Sequence, residues 1–188
     1  MSEFKDVSCT LKLYHACRNN TFKDVSYDDV NHESMIVHSC HPNGELYNFD
    51  EISKQYTHCL NVSKPLRSND AIYLFNNSVY FIEFKNGTAN KFNLKGKIYD
   101  SLLVLVEIGK ELNCDSPELW RDKLIYILVQ EESNQPRDKA IKKVREPIME
   151  RSNIPYDPYD LFHMKGLFFK DMYLLSTEEF INRFCIAG

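Results

Sequence analysis

The sequence predicts an α/β fold in which helices pack on a mixed sheet. Three patterns carry this reading. Ala71-Ile72-Tyr73-Leu74-Phe75 and Val79-Tyr80-Phe81-Ile82 flank Asn76-Asn77-Ser78 and read as a hairpin. Leu94, Ile98, Leu102, Leu105, Ile108 and Leu112 recur at helical spacing. Leu124-Ile125-Tyr126-Ile127-Leu128-Val129 is a continuous apolar run of strand length, suited to a central buried strand. A hairpin followed by a crossover helix and another strand makes a mixed sheet.

The elements follow in order. Val7, Cys9, Leu11 and Leu13 alternate with polar residues and predict a first strand. The polar stretch 18–31 reads as a loop with a short helix, 35–37 as a short strand, and His41-Pro42-Asn43-Gly44 as a turn. A helix is expected over 50–60, capped by Asn48 or Asp50, with Ile52, Tyr56, Cys59 and Leu60 on one side. The hairpin occupies 70–85 and ends at the tight turn Asn86-Gly87. The helix 94–112 is widened on its apolar face by Leu103, Val104 and Val106 and is expected to be largely buried. A basic helix over 138–145 is disrupted near Pro147, and 154–159 is irregular. A late strand lies within 167–175, and Ser176 with Glu179 forms a capping-box signature for a last helix ending near Phe184.

The chain of 188 residues is the size of one large domain or a core with an appendage, and its 43% hydrophobic content can build a core. No apolar stretch approaches the length of a membrane span, and the N-terminus lacks the regions of a signal peptide, so a cytoplasmic protein is expected. The six cysteines are scattered without a CxxC pair and are expected to be reduced and mostly buried. The net charge of −4 argues against a protein that coats nucleic acid nonspecifically, though not against a nuclease with local basic patches.

Asp70 and Glu83-Phe84-Lys85 stand at the ends of the two hairpin strands. Charged residues are costly in strands this apolar. If Asn76-Asn77 is a two-residue loop, Phe75 pairs with Ser78 and Asp70 meets Glu83, with Cβ atoms about 5 Å apart. A four-residue loop keeps that pairing. Lys85 then lies on the same face, about 7 Å further on. Opposed carboxylates destabilise a sheet unless a divalent cation lies between them. A slip of two residues would instead set Asp70 against Lys85 as an ordinary ion pair. A three-residue loop would put Asp70 and Glu83 on opposite faces.

An acid opening one strand, a short hairpin, and an apolar strand carrying E-x-K together resemble the PD-(D/E)XK nuclease superfamily. The residues that carry the resemblance are Asp70, Glu83 and Lys85, and it covers about half the chain. Asn69 stands where the motif's proline would be. The resemblance implies a restriction-endonuclease-like αβββαβ core over 49–130, an N-terminal extension over 1–48 and C-terminal additions over 131–188. It also implies Asp70 and Glu83 as ligands of Mg²⁺ or Mn²⁺, Lys85 as the catalytic lysine, and Glu51 as a further acid from the preceding helix. The expected activity is hydrolysis of nucleic-acid phosphodiesters, with DNA as the substrate. The competing expectation is an inactive module of the same fold that binds a protein or nucleic-acid partner.

Lys95 and Lys97, on the helix after E-x-K, and Lys142 and Lys143, in the run Lys139 to Arg145, are candidate phosphate contacts or solvated helix faces, and Lys97 could instead reach the site itself. His38-Ser39-Cys40-His41 and His58-Cys59 match no compact zinc module. No glycine-rich phosphate loop or nucleophile elbow is present.

Overall fold

The computed structural model describes residues 11–28, 32–36, 40–64, 66–87, 89–111, 121–131 and 157–186. Strands β1 (Arg18–Asn19), β2 (Tyr27–Asp28), β3 (Glu33–Ser34), β4 (His41–Pro42) and β5 (Glu45–Asn48) precede β6 (Ala71–Phe75) and β7 (Ser78–Lys85). They are followed by β8 (Leu124–Gln130), β9 (Asp171–Leu175) and β10 (Cys185–Ile186). The helices are α1 (Phe22–Val25), α2 (Phe49–Cys59), α3 (Lys91–Glu111) and α4 (Thr177–Phe184). A six-stranded sheet runs β1-β5-β6-β7-β8-β9. Its pairs are antiparallel as far as β7, while β7, β8 and β9 are parallel to one another. The mixed α/β sheet flanked by helices is therefore present.

Alternation along the strands divides the core into two layers. Ile72, Val79, Phe81, Tyr126 and Leu128 lie on the face that also gathers Phe49 and Ile52 of α2 and Leu94, Ile98 and Leu105 of α3. Tyr73, Ile82, Phe84, Ile127 and Val129 lie on the other face, with Phe22 of α1 and Phe180 of α4. Both faces of β8 are buried, which explains its unbroken apolar run.

The central elements match their sequence signals closely. Asn48 caps α2, its side chain accepting from the Glu51 N–H at 3.0 Å. Asn90 starts α3 a turn before Leu94 by accepting from the N–H groups of Phe92 and Asn93. Ser176 and Glu179 form the complete capping box of α4. The hairpin closes on a two-residue loop. Asn76 and Asn77 both have positive φ (48° and 59°), as a type I′ turn requires, and asparagine tolerates this better than most residues.

Other expectations are corrected. Lys12–Cys17 forms a 3₁₀ helix where the alternation of Leu11 and Leu13 predicts strand, because Leu11 is drawn into the core beneath α2 while the chain turns. The sheet gains β5, whose four residues are too short to show a period, so one of its central strands comes from before residue 49. Only Asp171–Leu175 of 167–175 is strand, and the chain turns before it at Gly166, where φ is positive. Leu103 is half exposed rather than part of the buried face of α3. Cys59 and Leu60 are exposed, because the buried side of α2 is Phe49, Ile52, Ser53, Tyr56 and Thr57. The predicted strand at 7–10, the predicted basic helix at 138–145 and most of 154–159 lie outside the described residues.

Cys40 and Cys185 form a disulfide, where reduced thiols are expected. Pairing of β4 with β10 brings their Cα atoms to 5.1 Å across a sequence separation of 145, a proximity that no local pattern reveals. A cross-link closing so long a loop restricts the unfolded chain strongly. Cys185→Ser is expected to cost about 2–4 kcal/mol in urea unfolding, and the wild type in reductant should unfold with the variant. Equal midpoints for the oxidised wild type and the variant would contradict this.

Candidate functional site

The hairpin register sets the site. Phe75 pairs with Ser78, Ile72 with Phe81 and Ala71 with Ile82, so the next position along brings Asp70 beside Glu83. Glu83 shares the face of Val79 and Phe81, under α3, and is fully buried. Asp70 sits just outside the ladder. Its carbonyl accepts from the Phe49 N–H at 3.1 Å, which ties it to the start of α2. Its carboxylate Oδ2 accepts from the Phe84 N–H at 2.7 Å. These two bonds hold the carboxylate at the strand end.

Two lysines serve the two acids. Lys85 Nζ lies 2.7 Å from Glu83 Oε1 and reaches neither Asp70 oxygen. Lys97, one turn from Ser101 on α3, bridges both carboxylates. Its ammonium donates to Asp70 Oδ1 at 3.0 Å and to Glu83 Oε2 at 3.0 Å, and lies 2.8 Å from Glu83 Oε1. Ser101 Oγ accepts from the Asn69 N–H at 2.8 Å, so the same helix face also holds the strand that delivers Asp70.

The third acid comes from α2, but it is Asp50 and not Glu51. Glu51 faces solvent and pairs with Lys54 at 2.8 Å, away from the cluster. Asp50 is half-buried, accepts a short hydrogen bond from Ser68 Oγ, and is felt electrostatically by Asp70 and Lys97. In the structure, the buried side of α2 separates the two. Asp50 precedes buried Ser53 and Thr57 by three and seven residues, whereas Glu51 shares its side with exposed Lys54, Gln55 and His58.

Burial and like charge dominate the electrostatics. Removal from water, and then the Asp70 charge, push Glu83 up to about 7 against the pull of Lys97 and Lys85. Burial likewise raises Asp50, with Asp70 adding to it. For Lys97, burial favours the neutral amine, but the charges of Asp70 and Glu83 outweigh it and hold the ammonium firmly protonated. The raised Glu83 and the raised Lys97 pull in opposite senses. The fully buried carboxylate is the group under strain, because Lys97 keeps Asp70 as a partner in either state. Tyr126 of β8 lies beneath the pair. Its hydroxyl is buried, has no hydrogen-bond partner among the described residues, and is raised by burial and by the charges of Glu83 and Asp70.

The remaining candidates are elsewhere. Lys95 pairs with Asp160 at 2.7 Å on the surface. Lys142 and Lys143 lie outside the described residues. Gln130 stands beside Lys85 in the parallel register of β7 and β8, donates to the Gly87 carbonyl at 2.6 Å and accepts from Tyr159 Oη at 2.6 Å, which ties down the chain leaving Lys85.

Among the described residues, no group of three or more His, Cys, Asp or Glu side chains is placed to hold a metal ion. Asp70 and Glu83 are a pair of hard oxygen donors, with Asp50 in electrostatic reach. The pair, without Asp50, would suit a Mg²⁺ or Mn²⁺ ion that fills its remaining positions with water. It does not fit a soft ion, for which thiolates would be needed.

Fold and site together define a mixed α/β protein with a buried acid–lysine cluster at one end of its sheet. Comparison of the chain with family models, curated proteins and solved structures finds no match. Among the described residues, no helix is long and apolar enough to cross a membrane.

Proposed function

We propose that this protein is a Mg²⁺- or Mn²⁺-dependent nuclease of the restriction-endonuclease-like type, acting on DNA. The observation that carries the reading is the register of one hairpin, which places Asp70 beside Glu83 with Lys85 on the same carboxylate. The crossover from β7 through α3 to the parallel β8 supports it as well.

In this reading Asp70 and Glu83 hold the ion, and Asp50 adds negative charge from α2. A bound ion would supply an activated water and would neutralise charge that develops on the phosphate. Lys85 keeps its ammonium at the Glu83 edge of the site, where it can donate to a phosphate oxygen or orient the attacking water. The Phe84 N–H fixes the Asp70 carboxylate, so its position does not depend on a free rotamer. A cytoplasmic location goes with this reading, and the Cys40–Cys185 bond weighs against it, since disulfides persist mainly in oxidising compartments.

A second reading has its own observation. Both carboxylates already hold ammonium partners, so the cluster could serve as a buried structural ion pair in a module that binds a protein or nucleic-acid partner. Cleavage assays on single- and double-stranded DNA and on RNA separate the two. Mg²⁺ is expected to support cleavage, EDTA to abolish it without unfolding the chain, and Lys85→Ala to reduce it by about 10²-fold or more. Lys85→Ala that cleaves as fast as the wild type, or no cleavage of any of these substrates, would favour the binding module.

A further inference from the structure

The two lysines are not equivalent, and the difference points to how the site is loaded. We propose that Lys97 is an exchangeable counter-ion: its ammonium and a divalent cation compete for Asp70 and Glu83, and binding of the cation expels Lys97 from between them. This inference rests on reading the site as a metal site and adds a means of regulating it.

The geometry carries the argument. Lys97 Nζ is within 3.0 Å of oxygens on both carboxylates, so it fills the space between them. An ion held by the same oxygens at about 2.1 Å would take that space, and its double charge would repel the ammonium. Lys85 differs in that it touches Glu83 alone, from the strand that also carries Glu83, and does not span the two carboxylates. Lys97 has somewhere to go. Its side chain is 21% exposed, and its long flexible stem starts on a helix rather than on the sheet.

A second observation is independent of the lysines. The buried Tyr126 hydroxyl lies in the field of Glu83 and Asp70 with no hydrogen-bond partner among the described residues. A static ion-pair cluster leaves that donor unsatisfied at a cost.

The exchange has a thermodynamic signature that does not depend on turnover. Removing a competing charge must tighten cation binding. Mn²⁺ titration calorimetry on the full chain is expected to show Lys97→Met binding Mn²⁺ about ten-fold or more tighter than wild type, with Lys95→Met unchanged. Equal or weaker binding by Lys97→Met would overturn the exchange while leaving the metal site in place. Absence of Mn²⁺ binding in both wild type and Lys97→Met would overturn the metal site itself, and the exchange with it. A measurement on the unmodified sequence covers the case in which Lys97→Met fails to fold. Reductive methylation mapped by peptide mass spectrometry should find Lys97 protected in EDTA and modified in saturating Mn²⁺, with Lys95 indifferent. Lys97 labelling that Mn²⁺ does not change would refute the proposal.

Discussion

Glu83→Gln is expected to lower metal-dependent cleavage by about 10²–10³-fold or more while the protein stays folded. The substitution keeps the shape of the side chain, but it removes the charge that an ion would require and that pairs with Lys85 and Lys97. Asp70 alone would remain as a charged ligand from the sheet, and the net charge of the cluster would become less negative. The loss should appear in Mn²⁺ calorimetry as weaker binding and in the cleavage assay as a lower rate at saturating metal. Glu83→Gln that cleaves at the wild-type rate would remove Glu83 from the chemistry and the nuclease reading with it.

The same substitution should stabilise the metal-free protein above neutral pH. Burial and Asp70 push Glu83 up to about 7 from an ordinary value of 4.5. Because the folded state holds this proton more tightly than the unfolded state, Glu83 contributes to stability fully below about 4.5. That contribution is lost as pH rises through about 7, where burial of the ionised form is fully felt. The amount at stake is of the order of a few kcal/mol. Urea unfolding in EDTA between about pH 4 and 9 should therefore show Glu83→Gln more stable than wild type at the alkaline end and close to it at the acid end. Equal stabilities across the range would mean that Lys85 and Lys97 fully compensate the buried charge. Loss of function with gain of stability in one variant is the behaviour of a site held in a strained electrostatic state for a purpose.

How much of the site the sequence shows depends on the reach of each interaction. The Asn76-Asn77 turn had a local signal, because asparagine meets the demand for positive φ at two successive positions, but the length of the loop stayed open. From that turn, the alternation of strand side chains carried the pairing out to Asp70 and Glu83, and the two-residue loop decided among registers that the residues alone left open. Asp50 and Glu51 are adjacent acids in one helical turn, and composition does not tell them apart. The choice rests on which side of α2 meets the sheet, and the buried Ser53 and Thr57 mark that side too weakly to be read without the packing.

Lys97 shows the limit more sharply. Its place after the E-x-K strand left a phosphate contact, a reach into the site and a solvated face all open, and it bridges both acids. Nothing within the helix selects this. It follows from α3 crossing the sheet above Glu83, with Ser101 holding the Asn69 backbone and thereby setting the height of Asp70 beneath the same helix face. The disulfide is of the same kind, since Cys40 and Cys185 meet only once β10 has paired with β4.

The sequence by itself determined the hairpin, the long apolar helix and the doubly buried strand, because each follows from periodicity or turn chemistry acting over a few residues, and it left the pairing of Asp70 with Glu83 as one register among several until the loop length was seen. Only the tertiary structure decided which acid of α2 joins them, which lysine bridges them and which cysteines bond. Those choices depend on how helices are rotated and set against the sheet, which is fixed by packing between segments far apart in the chain.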